Sequence, residues 1–128
     1  MTDADLYAEA LSAAEGAYAP YSNYRVGAVV VAEDGRRFTG ANVENAAYPS
    51  TLCAEAVAIG SAVAAGARVI DTVAVACLDD DSCMPCGNCR QMMVEFEVKR
   101  VVAGAGPGAV RSIPFEEVLP DSFGPDHL

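Results

Sequence analysis

The run TVAVACL at residues 72–78 constrains the fold of this chain more than any other stretch. It is almost wholly apolar and has the length of a strand, which indicates a central strand buried within a sheet. Earlier in the chain, YRVGAVVVA (24–32) and RRFTGANVE (36–44) flank the turn signal Asp34-Gly35. This arrangement predicts a β-hairpin.

Helical patterns separate the predicted strands. Apolar residues at three- and four-residue spacing predict a helix over 3–18, and an Ala-rich stretch predicts a second helix over 52–65. A third helix is expected over 85–96, with proline in its first turn. Two further strands and a short helix complete the prediction, at 100–104, 109–113 and 114–119.

The order of these elements favours a three-layer α/β/α sandwich. Its five-stranded sheet should be mixed, antiparallel at the hairpin and parallel where crossover helices connect the strands. The chain has 128 residues and shows no internal repeat and no linker. We therefore expect residues 1–128 to form a single domain.

Charge and hydropathy limit the partners of the chain. The chain has eight Lys and Arg residues and eighteen Asp and Glu residues, so its net charge is −10. Such a field repels phosphate backbones, which argues against nucleic-acid polymers and favours a neutral small molecule. No apolar run approaches the ~20 residues that cross a bilayer, so no membrane partner is expected. The hydrophobic share of 52% indicates surplus apolar surface for contacts between subunits.

The five cysteines are expected to be reduced. The N-terminal residues lack the basic start and apolar core of a secretory leader, which predicts a cytoplasmic location. In MPCGNCRQMM, Cys86 and Cys89 lie three residues apart, so both sulfurs would project from one face of a helix's first turn. The amides at that helix end favour the thiolate, which is the form that binds metal.

A third metal ligand has to come from elsewhere in the chain. Cys53, at the start of another predicted helix, is the favoured candidate, and three thiolates with one open position are typical of Zn²⁺. His127, the only histidine, is expected to be a surface residue, and Cys77 an inert core thiol. A closed four-cysteine site that includes Cys83 is the alternative, and it would make the protein a non-enzymatic zinc module.

Glu55 is a carboxylate in an otherwise apolar helix, two residues after Cys53. Zinc with an open position lowers the pKa of bound water, and a carboxylate beside it can carry protons between water and substrate. The alternative is a first-turn glutamate that only interacts favourably with the helix dipole.

The elements CAE and PCGNC match the signature of zinc nucleobase deaminases, in which the glutamate is general acid/base and not a ligand. YAPYSNYRVGAVV, NVENAAYPSTLCAE, MPCGNCRQMM and LPDSFGPDHL extend the match over nearly the whole chain, which thus resembles the small cytidine deaminases. The resemblance implies one zinc ion per subunit and hydrolytic deamination of cytidine and deoxycytidine in pyrimidine salvage. It assigns zinc ligation to Cys53, Cys86 and Cys89, and proton transfer to Glu55.

The resemblance also assigns contacts to the substrate. Asn42 and Glu44 would hydrogen-bond the ribose 3′-hydroxyl, although on the sequence alone they could equally be a turn residue and a solvated strand end. Tyr24 would line the base pocket. Backbone groups at Ala54 and Met84 would contact the polar edge of the base.

A homotetramer with shared active sites is the assembly that the resemblance implies, with Ala46, Tyr48 and Phe123 contributing across subunits. One position departs from the pattern of many three-cysteine members, in which Arg follows the catalytic glutamate and donates to the thiolates. Ala56 stands there, and Arg90 is a candidate to replace that arginine.

Met84 also departs from the family pattern, since it stands where Ser is common. Blasticidin S deaminases likewise have apolar residues after CAE. A deaminase of that antibiotic, or of another cytosine-nucleoside analogue, is therefore the alternative function. The intact NVEN and SFGP segments favour cytidine.

Overall fold

Helices and strands follow one another in the predicted order. The computed structural model describes residues 1–128. Short 3₁₀ turns, which the sequence did not predict, lie at Tyr48–Ser50 and Pro125–His127. The main elements are α1 (Asp3–Ala14), β1 (Val26–Ala32), β2 (Arg37–Ala41), α2 (Ala54–Ala64), β3 (Ile70–Cys77), α3 (Gly87–Glu95), β4 (Arg100–Gly104), β5 (Val110–Pro114) and α4 (Phe115–Val118).

The five strands form one mixed sheet in the order β2-β1-β3-β4-β5. Antiparallel ladders join β1 to β2, β1 to β3 and β4 to β5, and only β3 and β4 pair in parallel. The prediction of parallel pairing at the crossover helices holds for α3 alone. The crossover through α2 places β3 beside β1, so the parallel strands β2 and β3 are not neighbours.

Helices cover both faces of the sheet, which confirms the α/β/α sandwich. On one face, Leu6 and Ala10 of α1 pack with apolar side chains of β1, β3 and β4. On the other face, α2 and α3 pack into the larger core, which contains Ile59 and Met93. No helix combines the length and apolar character that crossing a bilayer requires.

The first helix is shorter than predicted because a strand-like contact uses the residues that follow it. α1 ends at Ala14, not at residue 18. The Tyr18 N–H donates to the Asn42 carbonyl at 2.9 Å, and the Tyr18 carbonyl accepts from the Glu44 N–H at 2.8 Å. These bonds draw the segment after α1 towards the residues that follow β2.

Glycine lets α2 lie directly on the sheet. A Cβ atom at Gly40 of β2 would lie 2.5 Å from the Ala54 carbonyl oxygen and 2.6 Å from the Ala58 nitrogen. Real Cβ atoms do not approach backbone that closely, so only glycine fits beneath the first turns of α2. Gly40 therefore sets the position of the helix end at which the candidate site is built.

A candidate metal and nucleoside site

Three thiols meet where α2 and α3 begin. Cys53 is the N-cap residue of α2, Cys86 is the N-cap of α3, and Cys89 is the third residue of α3. Their sulfurs all lie within 4.8 Å of one another, and the Cys53 and Cys86 sulfurs are 3.7 Å apart. Two thiolates of a tetrahedral zinc site, each about 2.3 Å from the metal, lie about 3.8 Å apart. The cluster therefore fits the ion that its donor atoms favour.

The position of Cys86 relative to α3 differs from the sequence prediction. It stands outside the helix in an extended conformation, with φ −71° and ψ 168°, and α3 begins at Gly87, not at Pro85. As N-cap, Cys86 offers its carbonyl to the Arg90 N–H at 3.0 Å. Its sulfur still meets that of Cys89, because an N-cap residue and the third helical residue lie on the same side of the first turn.

The helix ends supply the positive partial charge around the thiols. The first three N–H groups of α2, and likewise those of α3, have no backbone acceptor. Such free amides at a helix N-terminus stabilise thiolates. Contacts with the Cys89 and Cys86 thiols lower the pKa of Cys53 to about 6. The same contact with Cys53 raises the pKa of Cys89, so a cation is needed before all three can ionise together.

No arginine donates to the three thiols in place of the one that the family resemblance leads us to expect after Glu55. Ala56 stands at that position and packs against the core. Arg90 donates to the Pro85 carbonyl at 2.8 Å and to the Val118 carbonyl at 2.9 Å. The suggestion that Arg90 neutralises the thiolates is therefore wrong for this structure, since its guanidinium ties the loop before Cys86 to α4 instead.

Cys83 does not belong to the thiol cluster. It is buried, and its sulfur lies 3.9 Å from the Met84 carbonyl oxygen. Burial raises the pKa of the Cys83 thiol to about 11, so it stays protonated near neutral pH. The closed four-cysteine site is thus contradicted. The structure also agrees with the sequence that Cys77 is a core thiol, since it is 3% exposed in β3, and that His127 lies away from the cluster.

Glu55 lies beside the thiols in the same pocket. It is the second residue of α2, only 3% exposed, and it lines a pocket of about 190 Å³ together with Cys53 and Cys86. Burial, and to a smaller degree the charge of Cys53, raise the pKa of Glu55 to about 7. A carboxyl group with such a pKa can both accept and donate a proton near neutral pH. We call Cys53, Glu55, Cys86 and Cys89 the thiol–carboxylate cluster.

A second wall of the pocket consists of residues from irregular segments. Asn42 is buried, accepts from the Val26 N–H at 2.9 Å and donates to the Tyr24 carbonyl at 2.8 Å. It is therefore more than an exposed turn residue. Glu44 accepts from the Tyr21 N–H at 3.0 Å and the Ser22 N–H at 3.1 Å.

Ser22 connects Glu44 with Tyr24 in this wall. Its hydroxyl donates to Glu44, which lowers the pKa of that carboxyl and keeps it ionised. The Ser22 hydroxyl also accepts from the Tyr24 N–H at 3.0 Å. We call Ser22, Tyr24, Asn42 and Glu44 the loop network. All four of its residues line the pocket.

Five predicted site residues remain to be placed. Ala54 and Met84 line the pocket. Ala46, Tyr48 and Phe123 do not, and all three are exposed, with Tyr48 72% and Phe123 58% accessible. The structure of one chain thus brings together the predicted site residues except those expected to act across subunits.

Sequence reasoning missed Ser22, Val26, Thr51 and the pocket position of Cys83. Ser22, Val26 and Thr51 stand in no spacing pattern that signals chemistry, whereas the spacing of Cys83 from Cys86 and Cys89 indicated a fourth metal ligand and not a residue of the pocket wall. A larger cavity, of about 800 Å³, lies at the end of β3 and is lined in part by Asp79, Asp80 and Asp81. It does not combine clustered thiols with a buried carboxylate, so the smaller pocket is the candidate site.

Comparison with known proteins agrees with this geometry. The family model of the cytidine and deoxycytidylate deaminase zinc-binding region matches residues 1–105. A cytidine deaminase of Halalkalibacterium halodurans is 41% identical over 92% of this chain and 91% of its own. One of Mycobacterium tuberculosis is 42% identical over 100% and 96% of the two chains. The crystal structure of cytidine deaminase from Burkholderia pseudomallei superposes with a TM-score of 0.88 at 44% identity, covering 96% of this chain and 100% of that one. The chain therefore belongs to the family of zinc-binding cytidine and deoxycytidylate deaminases.

Proposed function

We propose that this protein hydrolytically deaminates cytidine and deoxycytidine to uridine and deoxyuridine. The observation that carries the proposal is the thiol–carboxylate cluster, in which a buried glutamate lines the same pocket as two of three clustered thiols. Relatives of similar length that bear the name cytidine deaminase support it. The reaction adds water at C4 of the pyrimidine and releases ammonia.

The three thiols are proposed to hold one zinc ion. When bound, zinc supplies an activated water near neutral pH. Glu55 is then placed to take a proton from the attacking water and to deliver it to the base or to the departing amino group. Its raised pKa suits both directions of transfer. Ala54, the first residue of α2, carries a free backbone N–H that can donate to the polar edge of the base.

Substrate recognition is assigned to the loop network. The ionised Glu44 only accepts hydrogen bonds, so the partner it favours is a hydroxyl donor such as that of a ribose. The amide of Asn42 retains one N–H and one lone pair beyond its two bonds to backbone. Tyr24 and Met84 add apolar surface for a flat base. A site of this kind rejects ligands that lack the hydroxyl.

The pocket is proposed to be completed in a homotetramer. At about 190 Å³ it is smaller than the roughly 300–1,000 Å³ of most ligand sites. Tyr48 and Phe123 are large, exposed and outside the pocket of their own chain, as residues that serve a neighbouring subunit would be. Ala46 is exposed in the same way.

A cytoplasmic role in pyrimidine salvage completes the proposal. All five cysteines are free thiols, which suits a reducing compartment. The substrate is a neutral nucleoside, and the net charge of −10 disfavours polynucleotides.

The decisive experiment follows loss of the cytosine chromophore in the zinc-loaded protein, with cytidine, deoxycytidine and blasticidin S as parallel substrates. We expect turnover of the first two. Turnover of blasticidin S alone would replace cytidine by the antibiotic as substrate. Absence of turnover with all three, in a folded protein that carries zinc, would refute the proposed activity.

A further inference from the structure

Hydrogen bonds hold both the backbone and the side-chain hydroxyl of Tyr24. Its N–H donates to the Ser22 hydroxyl and its carbonyl accepts from Asn42. At the far end of the side chain, its hydroxyl donates to a carboxylate oxygen of Asp80 at 2.7 Å. Tyr24 lies between α1 and β1 in a segment without regular structure, so these contacts fix the ring where a helix or strand cannot.

Asp80 is itself fixed by the turn that follows β3. Its other carboxylate oxygen accepts from the Ser82 N–H at 2.9 Å and from the Ser82 hydroxyl at 3.0 Å. The backbone bond from Ser82, followed by that from Tyr24, lowers the pKa of Asp80, so the acceptor is an anion near neutral pH. A charged acceptor makes the stronger kind of hydrogen bond.

Asp80 lines the large cavity at the end of β3 and not the nucleoside pocket, whereas Tyr24 lines the nucleoside pocket and not the large cavity. An effect of Asp80 on the substrate can pass through the tyrosine ring or through the Ser82 turn that leads to Cys83 and Met84 of the pocket, and only the first route is lost in Tyr24→Phe. The hydroxyl of Tyr24 is already engaged, so the ring presents its apolar surface to the pocket.

We propose that Asp80 is a positioning residue that holds the Tyr24 ring in the orientation in which it receives the nucleobase. The inference rests on the proposed function. A ring fixed in advance loses less side-chain freedom when the ligand binds, which strengthens binding without a new contact. Because that gain is the same in the ground state and in the transition state, it lowers KM and leaves kcat unchanged.

The kinetic test is a double-mutant cycle with cytidine. Because the Tyr24 ring would then be ordered only when the ligand binds, Asp80→Ala should raise KM about three- to tenfold and change kcat less than about twofold. In the Tyr24→Phe background the same substitution should change KM less than about twofold, because the bond is already absent. Asp80→Asn, which keeps an acceptor oxygen, should lie between wild type and Asp80→Ala. Asp81→Ala, which removes an exposed carboxylate from the same loop, is the matched control and should leave KM unchanged.

A second measurement does not depend on turnover. The chain has five tyrosines and no tryptophan, so its intrinsic fluorescence reports on phenols. A phenol that donates to a carboxylate is quenched. Asp80→Ala should therefore raise the emission of the wild-type protein, but not that of the Tyr24→Phe variant.

The outcomes separate this inference from the proposed function. Absence of turnover in wild type would overturn the proposed function, and this inference with it. Normal wild-type turnover, combined with an unchanged KM in Asp80→Ala or with equal effects of that substitution in both backgrounds, would overturn this inference alone. A fluorescence increase that persists in the Tyr24→Phe background would contradict the contact itself.

Discussion

The two walls of the pocket are built in different ways. Every member of the thiol–carboxylate cluster lies at the start of a helix, either as the N-cap residue or in the first turn of α2 or α3. The loop network lies mainly outside regular structure and is held by side-chain bonds to backbone between residues 16 to 23 apart in sequence. The first wall places the proposed chemistry on rigid elements, and the second places the proposed substrate contacts on residues whose hydrogen bonds also hold the fold together. Substitutions in the thiol–carboxylate cluster should therefore change kcat. Substitutions in the loop network should change both stability and KM.

The largest effect is expected at Glu55. Glu55→Gln keeps the size and the buried position of the side chain but cannot take up a proton, so kcat should fall by roughly 10²–10⁴-fold. Zinc content should stay at the wild-type value because Glu55 is assigned no ligation, and the unfolding midpoint should not fall, because glutamine removes the cost of burying the charge that raises the pKa of Glu55. Steady-state kinetics, metal analysis and thermal unfolding measure the three quantities. Retained turnover would remove Glu55 from the mechanism.

A substitution beneath the cluster tests whether rigid placement of α2 matters. In Gly40→Ala the new methyl group would meet the backbone of Ala54 and Ala58 at 2.5–2.6 Å, so α2 has to shift. Overpacking of this kind costs about 1–3 kcal/mol of unfolding free energy. Urea denaturation measures it, and kcat should fall as well because Glu55 moves with the helix.

Gly60→Ala is the matched control for that substitution. Gly60 lies in the same helix, is exposed, and has no atom within 4 Å of a Cβ placed on it. Alanine should stabilise the helix there by about 0.5–1 kcal/mol. If both variants were equally stable, close packing of α2 on β2 would not be what places the site.

Smaller effects, on both stability and KM, are expected from substitutions in the loop network. Asn42→Ala removes the acceptor of the Val26 N–H and the donor to the Tyr24 carbonyl, which should cost about 1–2 kcal/mol of unfolding free energy. KM for cytidine should rise in the same variant, and zinc content should not change. Denaturation, kinetics and metal analysis on one preparation decide this. A change in KM without any loss of stability would assign Asn42 to the substrate alone.

The contrast between the walls also explains what the sequence could predict. Cys53, Glu55, Cys86 and Cys89 can be selected from the sequence because short spacings at helix starts carry the signal within a few residues. Asn42 remained ambiguous, since its partners lie 16 and 18 residues away and no local pattern shows them. The contact of Tyr24 with Asp80 spans 56 residues and depends on the order of the strands, which the sequence does not reveal.

The same distinction holds for the fold. Local periodicity predicted the helices and strands and their order. The end of α1 was misplaced because the Tyr18 backbone pairs with the segment after β2, a contact between distant parts of the chain. The neighbours of β3 could not be predicted for the same reason. Strand length and apolarity identify a central strand, whereas its partners depend on where α2 crosses the sheet.

The smallest effect is expected at Cys83, which lies in the pocket but outside the cluster. Cys83→Ser should leave the zinc content at the wild-type value, because its protonated thiol makes no contact with the other three sulfurs. Cys86→Ser is the comparison, since it removes one of three thiolates and should lower zinc retention during dialysis against a chelator. Metal analysis of both variants after the same dialysis distinguishes them. If Cys83→Ser lost zinc as readily as Cys86→Ser, the site would be a closed four-cysteine one, and the division of the pocket into a chemical wall and a recognition wall would no longer hold.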